Sequence, residues 1–209
     1  MDESDTGGRE ADADAGESDA DADVRVRNYD PDRDAEALWE LKRGFELGLG
    51  DGTGGDEKRE RYEAKLSDDY RRRYLDWVRW CATHDPRCVT VAEASSESDD
   101  ASATDGESRV DLVGYVFVLP QQLAMIWDAA VLNEIYVAPE RRGSGVADDL
   151  MAAAVELARD QDLPLGRLVL DVDRENERAG AFYARHGFEH WGEMVARELE
   201  SDGQETSSQ

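Results

Sequence analysis

The stretch Ile135-Tyr136-Val137-Ala138-Pro139-Glu140-Arg141-Arg142-Gly143-Ser144-Gly145-Val146-Ala147 passes from a β-rich run through a proline stop and a glycine loop into the start of a helix. That helix is expected from about Gly145 to Gln161, because Val146, Leu150, Ala154 and Leu157 recur at helical spacing and mark one apolar face. Gly143 and Gly145 let the backbone come close to a ligand. The amides of a first helical turn have no acceptor inside the helix, and together with the helix dipole they favour an anion such as a pyrophosphate. A glycine loop of this kind often only turns a corner, and by itself it leaves several anionic ligands open. The Gly-Lys-Ser/Thr ending of a nucleotide-hydrolase loop and the third glycine of a dinucleotide fingerprint are both missing from it.

Upstream, Val110 to Leu119 and Ile126 to Val137 are β-rich and end at Pro120 and Pro139, and Cys88 to Ala92 and Val24 to Arg27 are shorter strand candidates. Pro31 to Leu49 places Leu38, Leu41, Phe45 and Leu49 at helical spacing, and the run from Asp51 to Gly55 breaks that helix. A second helical region from Asp56 to about Cys81 aligns Tyr62, Leu66, Tyr70, Tyr74, Trp77 and Cys81 on one face. That stripe reads as core packing on a sheet, with some of its aromatics lining a pocket as the alternative. Downstream come a strand at Arg167 to Val172, a helix at Glu177 to His186 and a last strand near His190 to Leu199. The order is a helical preface, ββ, then βαβαβ, an α/β pattern.

Residues 1–23 alternate small and acidic side chains with almost nothing to bury, so they read as a disordered acidic tail. Ser95 to Ser108 has the same composition and reads as a surface loop, and 202–209 as a short polar tail, which leaves one domain over 24–201. The 50 Asp+Glu against 24 Lys+Arg give a formal charge of -26, and only Lys42, Lys58 and Lys65 are lysines. A general basic surface for nucleic acid is therefore excluded. Screening of about 3 Å at 1 M salt relaxes such self-repulsion, and the composition resembles that of proteins from extremely halophilic archaea. With no apolar leader or spanning run, the expectation is a cytoplasmic protein that does not bind membranes, a monomer or homodimer. Cys81, His84 and Cys88 fall one ligand short of a zinc tetrahedron and are expected to pack, so no metal is expected.

The loop resembles the Q/R-x-x-G-x-G/A pattern of the GCN5-related N-acetyltransferase (GNAT) superfamily at Arg142, Gly145 and Ala147, preceded by a fitting Val-x-Pro-Glu. The later run Asn176-Glu177-Arg178-Ala179-Gly180-Ala181-Phe182-Tyr183, followed by Gly187-Phe188, is similar to the family's N-x-x-A-x-x-x-Y motif with its Gly-Phe. Two motifs in order make the resemblance specific over residues 110–190, weaker over 24–92 and absent in the tails. It implies a mixed, mostly antiparallel sheet flanked by helices and splayed at its central strands. It also implies acetyl-CoA as acyl donor and a primary amine as acceptor: a protein N-terminus, a lysine, a polyamine or a small amine. The loop amides of Gly143, Ser144, Gly145, Val146 and Ala147, with Arg142, would hold the CoA pyrophosphate. Ile135, Tyr136 and Val137 would flank the pantetheine arm.

Direct transfer in a ternary complex needs a neutral amine, a donor for the oxyanion and a proton for the departing thiolate. Glu134, opposite Ile135 and Val137 by strand alternation, is the best-placed base, with Asp128 as substitute; it could equally be a strand-face acid at the splay. A backbone amide near Val137 would meet the oxyanion. Tyr183 stands where the family commonly has a tyrosine near the CoA sulfur, as thiolate acid or as a core side chain. Asn176 would contact the CoA arm, cap its helix, or both. His186 and His190 are read as structural. The rivals to catalysis are a non-catalytic acyl-CoA-binding module and an interaction protein whose acidic tail docks a basic partner.

Overall fold

Strand β3, Leu112–Val118, is buried at every residue, which a strand achieves only when both faces of its sheet are covered. The computed structural model describes residues 24–52, 55–95, 111–192 and 194–195. Most of the acidic tail, acidic loop and C-terminal tail expected above lie outside these residues. Two units divide the chain, Met1–Asp171 and Val172–Gln209.

In the first unit the sheet runs β1 (Val24–Asn28), β2 (Val89–Ala94), β3, β4 (Ala130–Val137) and β5 (Leu168–Val169), in spatial order β1-β2-β3-β4-β5. The first three pairings are antiparallel and β4–β5 is parallel, so the sheet is mixed and mostly antiparallel, as the family resemblance implies. Three long helices, α1 (Ala35–Gly52), α2 (Gly55–Ala64) and α3 (Asp68–His84), form the helical preface. The single helix read from Asp56 to Cys81 is in fact two. It breaks at residues 65–67 because Ser67 takes an extended backbone and its Oγ accepts from the Tyr70 amide at 3.3 Å, starting a new helix. A short helix α4, Gln121–Ala124, precedes β4, and α5, Val146–Asp160, follows it.

Alternation along β3 sorts the two covered faces. A Cβ on Gly114 would stand 3.2 Å from Leu150 of α5 and 2.9 Å from the Tyr136 carbonyl, so Gly114 and its face lie under α5 at very close approach. Phe117, of opposite parity, lies with its ring centroid 4.8 Å from that of Trp77 on α3. The α5 stripe read from sequence is buried in full: Val146, Leu150, Ala154 and Leu157, joined by Met151.

Between β3 and β4 the register shifts by one residue. Phe117 faces Glu134 but Val118 faces Leu132, leaving Asn133 as an extra residue, a β-bulge. Leu132 and Glu134 therefore point to opposite faces although they are two apart. The β-rich run from Ile126 begins as a turn, with Ile126 and Trp127 exposed and Asp128 at φ 51. The strand expected over Arg167 to Val172 is only two residues long, since Leu168 and Val169 alone find a partner on β4.

One buried ion pair ties β1 to the start of α1. Arg27 donates through both terminal nitrogens to Asp34, at 2.6 and 2.9 Å, and through Nε to Glu93 of β2 at 2.7 Å. Asp34 is fully buried and also accepts the Asp30 amide at 2.8 Å. The hydrogen bond to Asp34 comes first among the influences that outweigh burial and raise the Arg27 pKa.

In the second unit, α6 (Glu177–Arg185) begins at Asn176, whose Oδ1 accepts from the Ala179 amide at 3.0 Å, and closes at Gly187, φ 80, with the Phe188 amide on the Tyr183 carbonyl at 3.0 Å. Residues 190–192 and 194–195 are irregular, so the described part of the expected last strand is not a strand; the rest lies outside the described residues.

Replacing Asp34 by alanine should leave Arg27 without its main partner and cost about 3–5 kcal/mol, a fall in Tm on the order of 10 °C. A calorimetric melt unchanged from the parent protein would contradict the lock.

Candidate active site

The glycine loop is built as its sequence reads. Pro139–Arg141 forms one 3-10 turn after β4, Gly143 and Gly145 take φ 88 and 92, and Gly145 caps α5. No Cβ-sized obstacle stands within 4 Å of either glycine, so their requirement is conformational and the space over the loop is open. The amides of 143–147 donate to no backbone carbonyl among the described residues, whereas Asp148 and Asp149 close on the Gly145 carbonyl at 2.8 and 3.2 Å. Ser144 Oγ donates to the Arg141 carbonyl at 2.7 Å. Arg142 folds back, its Nε on the Val137 carbonyl at 3.1 Å and its guanidinium 5.7 Å from the Tyr136 ring, so it braces the loop against the end of β4.

The loop continues into an open strand edge. β5 pairs with β4 only at Ala130↔Leu168 and Val131↔Val169. Beyond Val131 that side of β4 has no described strand partner. The Ala138 amide donates to Val113 at 2.9 Å, and alternation of the antiparallel ladder then turns Tyr136 and Glu134 amides to β3 and those of Ile135 and Val137 to the open edge. Val137 is buried on the α5 face and Ile135 is half-buried. The Tyr136 side chain points to α1, where Gly44 makes room for it: a Cβ there would stand 2.4 Å from the Tyr136 hydroxyl.

Glu134 does lie opposite Ile135 and Val137, but that face is covered too, and Glu134 is 6% exposed. Lys42 Nζ reaches its Oε1 at 2.7 Å, and the hydroxyls of Tyr74 and Tyr115 donate to Oε2 at 2.9 and 2.6 Å. Asn133 Nδ2 donates to Oε1 at 3.1 Å. The same Lys42 Nζ pairs with Glu46 at 2.7 Å, and Glu46 with Lys65 at 2.6 Å and with the Tyr70 hydroxyl at 3.2 Å. Two lysines and two glutamates thus form a chain of charges from α1 to β4 that balances itself. Burial opposes the charge on Lys42, but Glu134 and Glu46 outweigh it and hold the ammonium above its ordinary range. Burial likewise opposes charge on Glu46, and Lys42 and Lys65 outweigh it and hold that carboxyl low.

A groove of 320 Å³ opens beside this chain, lined by Tyr70, Arg73, Tyr74, Trp77 and Glu134. The stripe on α3 therefore divides: Cys81, with Val78 beside it, is buried in the core, Tyr74 is buried yet meets the groove, and Tyr70 and Trp77 line it. Asp128 is exposed in the turn before β4, at φ 51, at the other end of that strand from the glycine loop. Cys81 and Cys88 are buried free thiols, pushed up by burial to about 11 and about 12, and His84 stacks on Trp80 at 3.9 Å.

In the second unit, burial pushes the Tyr183 phenol up to about 12, and its ring meets Phe188 at 5.6 Å. The Asn176 side chain caps α6. His186 lies 4.6 Å from Phe182, ring to ring, and His190 is exposed.

Reading the sequence residue by residue misses Lys42, Glu46, Lys65 and Tyr115. A signal was there: two of the three lysines in an arginine-using chain belong to this cluster, and Lys42 and Glu46 stand i,i+4.

Over residues 55–188 the sequence matches the model of the acetyltransferase (GNAT) family. It is 31% identical over 90 residues to a phosphinothricin N-acetyltransferase of Streptomyces coelicolor, covering 43% of this chain and 51% of that protein. It is 31% identical over 108 residues to a mycothiol acetyltransferase of Kocuria rhizophila, covering 44% of this chain and 35% of that one. The chain thus spans about half the length of the first relative and about a third of the second. Among solved structures, PaiA N-acetyltransferase of Thermoplasma acidophilum, in complex with coenzyme A, shares the fold at a TM-score of 0.59 and 19% identity, over 80% of this chain and 90% of that one.

Tyr74 and Tyr115 are pushed well above the ordinary tyrosine range, first by burial and then by the Glu134 charge. Because the fold favours their neutral form, the stability they contribute is complete below about pH 10 and is lost as the pH rises beyond it. Ultraviolet titration should show these two phenolates appearing only as the native circular dichroism is lost. Ionisation of all seven tyrosines in the folded protein would contradict the cluster.

Proposed function

Because the chain belongs to the acetyltransferase (GNAT) family, we propose that it transfers an acetyl group from acetyl-CoA to a primary amine by direct attack in a ternary complex. The observation that carries this reading is the course of β4: its free edge and the loop after it offer unpaired amides to a donor, and its covered face offers Glu134 to an acceptor groove.

In this reading the amides of 143–147 hold the CoA pyrophosphate with the α5 dipole behind them. The open edge at Ile135 and Val137 takes the pantetheine arm, and the Val137 amide faces the carbonyl oxygen as negative charge develops on it. The amine in the groove gives its proton to Glu134, whose direction is fixed by Lys42, Tyr74 and Tyr115. Its nitrogen forms the bond to the acetyl carbon, the carbon–sulfur bond breaks, the thiolate takes a proton in the role the family resemblance gives to Tyr183, and the proton still in excess on the nitrogen passes through solvent to restore that phenol. Arg142 acts by bracing the loop. The net charge of -26 suits concentrated salt, as in a halophile cytoplasm.

Four measurements test this reading. Gly145→Trp should abolish CoA binding in a calorimetric titration while the protein stays folded. Glu134→Gln should lower kcat about 100-fold or more, with little change in CoA affinity. CoA binding without thiol release across a broad amine panel would instead establish a non-catalytic binding module. Thermal melts should rise from about 0.1 M to about 2 M KCl as screening relaxes the acidic surface; a fall would remove the salt reading.

A further inference from the structure

Acids outnumber bases two to one in this chain, yet α3, Asp68–His84, carries four arginines against three aspartates. The groove on that helix gathers Arg73 on its rim, with Lys42 and Lys65 behind its aromatic walls. Lys42 Nζ lies 4.8 Å from the centre of the Tyr74 ring and Lys65 Nζ 5.5 Å from that of Tyr70. Two of the aromatic rings that could receive a cationic ligand are therefore already in contact with the protein's own lysines. The two buried carboxylates are likewise taken, Glu134 by Lys42 and Glu46 by Lys42 and Lys65. A polycation entering here meets no unpaired acid in the lining, because the lysines and glutamates balance one another, and meets the guanidinium of Arg73 on the rim.

Arg73 is differently placed. Its Nε pairs with Asp69 at 3.0 Å, but both side chains are exposed and Asp69 is shared with Arg72. Exposed pairs of this kind contribute little and exchange readily. A guanidinium on a groove rim is a fork for a carboxylate or similar oxyanion. Arg73 and Glu134 line the same groove, and Tyr74 of α3 donates its hydroxyl to Glu134, so an anion site and the carboxylate that would receive the amine share one cavity. The volume, 320 Å³, suits a small molecule.

We propose that the acceptor is a small zwitterion, a primary amine carrying a carboxylate or equivalent oxyanion, whose anionic group Arg73 takes in place of Asp69. Arg73 sets specificity and takes no part in the chemistry. The proposal rests on the acetyl-transfer reading for the identity of the amine as acceptor, and on the groove alone for the anion.

Matched probes test it on the full-length protein: phenylalanine, phenylalaninamide and phenethylamine; methionine and methioninamide; and spermidine. Calorimetric binding and kcat/KM should both favour the free acids. Arg73→Gln should raise KM for the acids about tenfold, leave kcat and the carboxylate-free amines unchanged, and be partly rescued by Arg73→Lys. Equal binding of acids and their amides, tighter binding of spermidine, no binding of any acid, or a loss in Arg73→Gln that strikes all acceptors alike would overturn the proposal. Acid-selective, Arg73-dependent binding without thiol release would uphold the anion site and refute acetyl transfer.

Discussion

A glutamate carboxylate held inside a protein needs a partner for each oxygen, and the placing of those partners around Glu134 fixes much of the first unit. Lys42 comes from α1, Tyr74 from α3 and Tyr115 from β3, so the helical preface and the sheet must dock in one register for the cluster to close. Buried pairs of this type add little net stability compared with apolar packing of the same volume, although breaking one is destabilising. Their presence at the wall of a groove therefore points to a site. The Arg27–Asp34 pair is the contrasting case: it joins β1 to α1 away from the groove and serves the fold.

The bulge at Asn133 gives β4 its divided role. Without the extra residue, Glu134 would share the α5 face with Leu132, where no hydroxyl or lysine of the cluster could reach it. With it, one strand turns a carboxylate toward α1 and α3 while its far edge has no strand partner among the described residues from Leu132 to Val137. In the proposed reaction that edge and the loop after it serve the donor, and the covered face serves the acceptor. The attack then takes place across the strand.

Local signals in the sequence recovered what is local in the structure. The loop, the α5 stripe and the Asn176 cap each depend on residues close together in the chain, and each is found where the spacing puts it. The mixed sheet followed from the family resemblance. What sequence could not supply was pairing across long separations: Lys42 meets Glu134 over 92 residues, and periodicity carries no trace of that contact. A one-residue bulge is invisible to a period-two reading, and so is the break at Ser67, because both segments around it continue in helix-favouring residues. The shortness of β5 has the same origin, since an apolar run shows where a strand can form and its neighbour decides how far it does.

If β4 presents its free edge to the donor and its covered face to the acceptor, hydrogen exchange of the full-length protein with and without CoA should reveal it. Exchange should slow at the amides of Ile135, Val137 and 143–147 on adding CoA, with the α3 groove segment around Tyr70 to Trp77 unchanged. Protection confined to the groove, or none along β4 and its loop under saturating CoA, would contradict it.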